Sequence, residues 1–425
     1  MARFVVEVVA GLDLRSMTGS YRGSGEAPYH PELLLGLIIY GYASGVFSSR
    51  KLERATYDSV AFRFIAANQH PDHDTIAVFR RRFLAQIAPL FAQVLCVARE
   101  MGVLQLGTVA LDGTKIHANA CRHSALSYEH ADRIEAQLPA EVADLLAKAE
   151  AADQADVPDG MSVPAELARR EQRLAALARA KATIEARAKE RHAFERAEHE
   201  AKLKAREAKT AATGKKPRGR PPAAPVEGPL PTDQVTLTDQ GSRIMPVAGG
   251  GFEQCYNAQA AVTAGLLVIA ADVVQAPNDK QQLEPMLGKL ADLPDELGTT
   301  DALLADNGYF SESNVNACAA AGIAPLIAMG REAHHPTLDE RFAEAPEPPT
   351  DPTPLEAMQH RLKTPEGKKL YALRKQMPEP VFGIIKSVLG FRQFLLRGLD
   401  NVRGEWTLVT MAWNIKRMFV LAGAN

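Results

Sequence analysis

Apolar and polar positions change rhythm several times along these 425 residues. From the start to about residue 104 the spacing is helical. Pro31 opens an apolar run, Leu33-Leu34-Leu35 to Ile38-Ile39, and Ser48-Ser49 stand as capping residues before Arg50-Lys51-Leu52-Glu53. Pro71-Asp72-His73-Asp74-Thr75 forms a turn that leads into Ile76 and Phe79-Arg80-Arg81-Arg82-Phe83. Short capped helices with an arginine-rich face fit two descriptions, a helix-turn-helix unit or a helical bundle with a solvated basic face.

Over residues 105–120 the rhythm becomes that of a strand, with Val109 and Leu111 before Asp112 and Ile116 after it. From about His130 to Lys209 the chain is rich in Ala, Glu, Lys, Arg and Leu, which favours long helices. Val157-Pro158-Asp159-Gly160 interrupts them, so two antiparallel helices are expected, the second from about Pro164 to Lys209. Leu167, Leu174, Leu177 and Ile184 give a partial heptad seam, but Lys181 and Arg191 fall on it, which predicts a weak, largely solvent-exposed hairpin. The proline-rich basic stretch 213–231 reads as a flexible linker. Strand patterns resume at 254–262 and 266–274. A helix follows over Lys280–Leu290, then a strand ending at Asp306, a helix near 312–321 and a strand at 325–328. Residues 336–365 are proline-rich and acidic and read as a loop. Helices return around Glu379 and from Trp406 to Leu421.

The length suits two or three domains, and the hydrophobic fraction of 46% supports a sizeable core. The net charge of -2 conceals an asymmetry. Residues 201–222 carry eight Lys/Arg against one Glu, and residues 361–425 carry twelve against four acids. Residues 291–360 carry two against thirteen acids. Basic surfaces for phosphate, with an acidic section elsewhere, are the expectation. Cys96, Cys121, Cys255 and Cys318 are widely spaced without a CxxC, which argues against a zinc site or a disulfide framework and for a reducing compartment. The longest apolar stretch, Leu33 to Phe47, is too short and too glycine-interrupted to span a bilayer, and the N-terminus lacks the layout of a signal peptide. No membrane is expected as a partner, and a cytoplasmic location is.

The candidate chemistry is carried by carboxylates. Leu303-Leu304-Ala305-Asp306 is a short apolar run ending in an acid, and Val109-Ala110-Leu111-Asp112 repeats it. A buried strand of this kind delivers its last side chain to a sheet edge where chemistry happens. A third acid, Glu379, sits in a later basic helix. Each is weak evidence alone: Asp112-Gly113 and Asn307-Gly308 are turn dipeptides, and Glu379 could be one charge on an exposed helix. The order of strand acid, further strands, strand acid and helix acid points instead to hard-cation ligands for magnesium or manganese. Two such ions would activate an attacking oxygen and stabilise a leaving oxygen of a phosphodiester. GxSxG, HExxH, P-loop and GxGxxG patterns are absent.

Four stretches carry a more specific likeness: Thr108 to Ala120 around Asp112, Gly251 to Ala261 with Asn257 and Gln259, Ala302 to Phe310 around Asp306, and Tyr371-Ala-Leu-Arg374 to Lys386 around Glu379. With the N-terminal Tyr29-His-Pro and Pro71-Asp-His-Asp-Thr segments, the chain resembles bacterial insertion-sequence transposases with a DDE triad. The resemblance implies an α/β fold, an RNase H-like mixed sheet interrupted by a long helical-hairpin insertion and preceded by an all-helical N-terminal domain. The divisions it suggests are a helical DNA-binding or dimerisation domain over 1–104, catalytic segments over 105–128 and 232–400, the hairpin over 129–212, the linker over 213–231 and a C-terminal helix over 401–425. It further implies that Asp112, Asp306 and Glu379 hold two Mg2+ (or Mn2+) ions, with Tyr371, Arg374 and Lys386 contacting DNA. The partners would be double-stranded DNA, as terminal inverted repeats and as target, and further copies of the chain, as a homodimer or higher in a synaptic complex. Location would then be with the nucleoid. Lys386 lies seven positions after Glu379, which predicts one shared helix face.

Lys215-Lys-Pro-Arg218-Gly-Arg220-Pro-Pro resembles an AT-hook, whose arginines would enter the narrow minor groove of A·T-rich DNA. A basic linker of no sequence preference is the alternative there. Pro378 and Pro380 flank Glu379 where the family pattern has a β-branched residue before the acid, and Arg374 is one position further from it than usual. These departures define the rival reading, a catalytically impaired, transposase-derived DNA-binding protein.

Overall fold

The computed structural model describes residues 1–19, 29–121, 125–152, 163–215, 219–330, 347 and 349–423. Backbone contacts gather the chain into two units, residues 1–119 with 243–425, and residues 120–242.

Among the described residues the first unit opens with the helices α1 (Ala2–Ala10), α2 (Arg15–Thr18), α3 (Pro31–Ser44), α4 (Ser49–Asp58), α5 (Val60–Ile65), α6 (His73–Arg82) and α7 (Ile87–Glu100). Pro31 is the first residue of α3, where its missing N–H costs nothing, and Gly45 ends the helix in the left-handed region at φ 83°. Asp72 caps α6 by accepting from the Thr75 N–H at 2.9 Å. The three arginines of α6 do not share one solvated face. Arg81 and Arg82 are exposed, whereas Arg80 turns inward and donates to the Tyr42 hydroxyl at 3.0 Å and to the Phe47 carbonyl at 3.1 Å. Tyr42 in turn donates to the buried Glu405 at 3.0 Å, and that carboxylate also accepts from the Leu395 and Leu396 N–H groups.

Among the described residues, seven strands and three helices follow in chain order. They are β1 (Gly107–His117), β2 (Ala125–Ser127), α8 (Tyr128–Ala152), α9 (Val163–Thr213), β3 (Gln234–Thr236), β4 (Arg243–Pro246), β5 (Phe252–Thr263), β6 (Val268–Val274) and, after α10 (Leu283–Ala291), β7 (Thr300–Ala305). Then come α11 (Glu312–Ala320), β8 (Ala324–Ile327), α12 (Pro354–Lys363), α13 (Pro365–Ala372), α14 (Pro378–Gly383) and α15 (Leu399–Ala422). The main sheet runs β5, β1, β7, β8, with β4 and β6 sharing the outer edge of β5. β5 is antiparallel to β1, and β7 and β8 are parallel to it. α15 lies between the helical bundle and β6. Asn414 completes the edge of β6, accepting from the Val268 N–H at 2.8 Å and donating to its carbonyl at 2.7 Å. Trp406 donates its indole N–H to the Gln259 carbonyl at 3.0 Å.

Two expectations are corrected here. Part of the acidic stretch expected as loop is helix. A capping box of Thr353 and Glu356 starts α12, with Pro354 at its first position. Residues 336–346 and 348 of that stretch lie outside the described residues. β1 also does not end at Asp112. Gly113 to His117 continue antiparallel to Cys255–Gln259, while the parallel pairing with β7 stops at Ala110.

In the second unit, β2 and β3 pair antiparallel. α8 and α9 run antiparallel along a small core of Leu126, Leu138, Leu177, Ala180, Ile184 and Val235. The charges on the seam are paired. Lys181 bridges to Asp132 at 2.7 Å and Glu135 at 2.5 Å, and Arg191 binds Asp233 at 2.7 Å. The stretch expected to be a flexible linker is instead laid back along α9 from Gly219 onward. Arg206 donates to the Gly219 carbonyl, His199 pairs with the Pro222 carbonyl, and Arg191 donates to the Gly228 carbonyl. Proline-rich chain has few N–H groups of its own, so its carbonyls are met by side chains of the neighbouring helix. Lys216, Pro217 and Arg218 lie outside the described residues, and Arg220 is exposed.

Candidate active site

The two aspartates stand just beyond the end of one parallel ladder. In the β1–β7 ladder Val109 pairs with Leu303 and Ala110 with Leu304. The ladder ends there; Asp112 lies two residues past Ala110 and Asp306 two past Leu304, and the charge of Asp306 acts on the Asp112 carboxyl. Each carboxylate is braced by a following N–H. Asp112 Oδ1 accepts from Gly113 at 2.8 Å, and Asp306 Oδ1 accepts from Gly308 at 2.8 Å, capping a short turn over Asn307–Tyr309. The turn expected at Asn307-Gly308 is present, but Gly113 is mid-strand. A Cβ on Gly113 would sit 2.3 Å from Gln259 Nε2 and 2.6 Å from Asp279 Oδ1, so close approach of polar groups, not turn geometry, demands glycine.

Burial pushes the Asp112 carboxyl up to about 7, and the charges of Asp306 and Asp279 push the same way. The Gly113 N–H and the Arg374 guanidinium oppose them. Tyr309, fully buried beneath the pair, has its hydroxyl held well above the usual range by burial first and by Asp279, Asp112 and Asp306 after it. Burial lowers Lys115, against the pull of Asp279.

Asp279 is the acidic member that sequence reasoning missed. It lies between β6 and α10, and its Oδ1 accepts from Asn257 Nδ2 and Gln259 Nε2, each at 2.7 Å. Gln259 is oriented by the Tyr309 hydroxyl, which donates to its Oε1. A signal existed: Asn257 and Gln259 are amides two apart in a strand pattern, so they point to one face, and a buried pair of amides needs a partner.

The helical flank is attached to this sheet at two points. Tyr371 donates to the Ala305 carbonyl at 3.4 Å, next to Asp306. Lys386 donates to Thr114 Oγ1 and to the Lys115 carbonyl, both at 3.0 Å. Between them Arg374, 12% exposed, lies near Asp112 and 3.7 Å from Glu379, whose side chain is 52% exposed. Glu379 and Lys386 do not share neighbours as the seven-residue spacing predicts. α14 passes into a π-helical segment over Ile384–Val388, which alters the rotation per residue, and Lys386 turns onto β1 while Glu379 faces Arg374 and solvent. Among the described residues no three Asp, Glu, His or Cys side chains are gathered closely enough to hold a metal ion. The charge of Asp306 acts on Asp112, and Glu379 faces Arg374. Beside Arg374, a cavity of about 290 Å³ is lined by Leu362, Lys368, Tyr371, Ala372 and Lys375. Among the described residues no single helix is long and apolar enough to cross a membrane.

Two family models match the chain. A transposase domain (DUF772) matches residues 2–82, the region of α1 to α6. A transposase DDE domain matches residues 350–419, which include Tyr371, Arg374, Glu379 and Lys386. No curated protein and no solved structure matches it. Both matches, at opposite ends of one chain, are to transposase domains, and they support an insertion-sequence DDE transposase.

Proposed function

We propose that this transposase cleaves the DNA ends of its insertion sequence and joins the freed 3′-hydroxyl to target DNA. The observation that carries the reading is that Asp112 on β1 and Asp306 just after the parallel β7 are close enough for the charge of Asp306 to act on the Asp112 carboxyl, with the Arg374 guanidinium acting on it too. The order β6-β5-β1-β7-β8, with β5 antiparallel and β7 and β8 parallel to β1, supports an RNase H-like catalytic domain. The family implies a divalent cation, and two close carboxylates with hard oxygen donors fit one. With Asp112, Asp306 and Glu379 as ligands, bound Mg2+ or Mn2+ would supply Lewis-acid activation of the attacking and leaving oxygens.

The remaining roles belong to the chain. Asp112, its carboxyl pushed up by burial, must release its proton to act as a ligand, so a cation would bind in competition with that proton. Arg374, Lys368 and Lys375 at the cavity beside the pair would hold a phosphate near the scissile bond. Tyr371 fixes α13 against the end of β7. Arg218 and Arg220 would grip A·T-rich minor groove. DNA ends must be brought together, which calls for a dimer or larger synaptic assembly.

A second reading, a catalytically impaired DNA-binding protein, is favoured by the exposed position of Glu379 behind Pro378. Single-turnover cleavage of a labelled duplex bearing the inverted repeats that flank the gene, with magnesium, separates the two. Cleavage lost in Asp112→Asn and Asp306→Asn with DNA binding retained is the expected result. Specific binding by wild type without any cleavage would establish the second reading.

A further inference from the structure

We propose that Arg392 and Arg397 hold backbone phosphates of duplex DNA where β1 runs on past Asp112. The inference rests on the DNA-cleaving reading above and adds two arginines to the residues that the family likeness implies.

β5 covers one edge of β1 as far as His117, whereas β7 covers the other only to Ala110. Past Asp112 that second edge is taken up by the chain that follows α14. Lys386 donates to the Lys115 carbonyl at 3.0 Å. His117 donates its N–H to the Arg392 carbonyl at 3.0 Å and accepts from the Phe394 N–H at 2.9 Å. Gln393 donates to the Ala118 carbonyl at 3.0 Å, and Asn119 to the Leu395 carbonyl at 2.7 Å. The buried carboxylate of Glu405 also holds this segment, through the Leu395 and Leu396 N–H groups. The segment is therefore fixed against the sheet. His117 is five residues past Asp112, about 17 Å along an extended strand, which matches the rise of roughly five nucleotides of duplex.

Both arginines of this segment are exposed, and the fold aims each of them. Arg392 donates Nε to the Lys386 carbonyl at 3.0 Å. Arg397 donates Nε to the Asn119 carbonyl at 3.1 Å, and its Nη2 lies 3.5 Å from Asn119 Oδ1. A carbonyl orients a guanidinium without neutralising it. Arg374 and Arg403, from the same basic section of the chain, are paired with Glu379 and Asp272. Among the described residues neither Arg392 nor Arg397 has a carboxylate partner. Burial lowers Lys386, and the neighbouring charge of Arg392 adds to that shift, so like charges are held together here. A guanidinium tied through Nε still presents Nη groups, whose fork geometry matches two oxygens of a phosphodiester. Such a contact positions the duplex and carries no sequence information.

The test uses the full chain and a labelled duplex bearing the inverted repeats that flank the gene, with affinity measured across a salt series in EDTA. Arg392→Gln and Arg397→Gln keep an N–H donor at the chain position of Nε and remove the charged end. The logarithm of affinity falls with the logarithm of salt by about 0.9 for each phosphate neutralised. Each variant should lower that slope by about 0.9, and the double variant by about 1.8, equally on a duplex of scrambled sequence. If wild type binds duplex and the glutamine variants keep its slope, the arginines only tie the segment to β1, and the proposal fails while the DNA-cleaving reading stands. If wild type binds no duplex at any salt, that reading fails and the proposal falls with it. Should a glutamine variant not fold, wild type decides through modification of Arg392 and Arg397 by phenylglyoxal, read by mass spectrometry. Modification that falls when duplex is added supports phosphate contact, and equal modification with and without duplex overturns it.

Discussion

The sheet floor and the helical flank bring acids to the same region by different physics. Asp112 is held within β1, opposite Ala260 of β5, and Asp306 directly follows β7, two residues past the last pair of the β1–β7 ladder. In a ladder an error is quantised, because a slip of one residue turns a side chain to the opposite face. Glu379 is fixed by where α14 begins, after a short turn over Leu373–Gln376 and at a proline. A helix start tilts by degrees, and its side chains move by fractions of an ångström with it. The strands therefore set the two aspartates in the free protein, while the helix start leaves Glu379 on Arg374.

The sharpest test of that contrast is cleavage. Asp112→Asn or Asp306→Asn is expected to lower the single-turnover rate by about a thousandfold or more, and Glu379→Gln by about ten- to a hundredfold. Equal losses would break the contrast for the reacting complex. They would mean that α14 closes on the pair when DNA and cation bind, and that the gap between them is a property of the free protein alone.

The tie between the two regions is the next place to press. Lys386 is partly buried and makes two 3.0 Å bonds to β1. Lys386→Met keeps the apolar stem and deletes both bonds, so the flank loosens while the β1–β7 ladder is untouched. Cleavage should fall about tenfold, an effect of the size seen when outer partners of a metal site are removed. Mn2+ affinity should stay within twofold of wild type. A large loss of Mn2+ affinity would show that the flank shapes the floor as well.

What could be read from the sequence follows the same division. Period-two and continuous apolar runs reveal strands, and β1, β5, β6, β7 and β8 all fall where such runs stand. Asp306 is legible because β7 stops at Ala305. Asp112 is legible as a carboxylate but not as mid-strand, because Asp-Gly reads as a turn until the partner strand is known. Asp279 sits in a polar loop with no pattern of its own, and only folding shows that Asn257 and Gln259 converge on it. The inward turn of Arg80 is hidden for the same reason. Its partners Tyr42 and Glu405 are 38 and 325 residues away (80 − 42 and 405 − 80). The bed of the proline-rich segment along α9 is made by Arg191, His199 and Arg206, which read locally as a solvated helix face.

A smaller effect separates the floor from the flank by pH. The folded carboxyl of Asp112 is raised from 3.8 to about 7, chiefly by burial. A raised carboxyl contributes stability that is fully present below the unfolded value and is lost as pH rises through about 7. Asparagine cannot ionise, so Asp112→Asn should stabilise the cation-free protein more at pH 8 than at pH 5, by about 1–2 kcal/mol in chemical denaturation. Glu379→Gln, at a side chain 52% exposed, should change stability by less than about 0.5 kcal/mol at either pH. A pH-independent gain from Asp112→Asn would show that its burial is relieved by water entering the site.

The smallest expected effect tests the helix start itself. Pro378 is the first residue of α14 and is buried. Proline at that position keeps its own φ and needs no N–H partner, so the helix tolerates it. The residue before a proline is normally pushed to extended backbone, yet Met377 is held at φ -107°, ψ -73°, between the preceding short turn and the helix. The chain therefore restarts at Pro378 and does not run through, and Glu379, one residue later, inherits whatever tilt that restart imposes. Valine restores an N–H at 378, removes the constraint on Met377 and lets the turn over Leu373–Gln376 continue into α14. Ligand groups work only when held to within about half an ångström, so a straightened start should raise the single-turnover rate by about two- to threefold and lower the magnesium concentration at half-maximal rate. The comparison is wild type against Pro378→Val across a magnesium titration, with Asp306→Asn carried in both backgrounds. If valine is no faster at any magnesium level, the restart already sets Glu379 where the reacting complex needs it, and the contrast between floor and flank reduces to exposure alone.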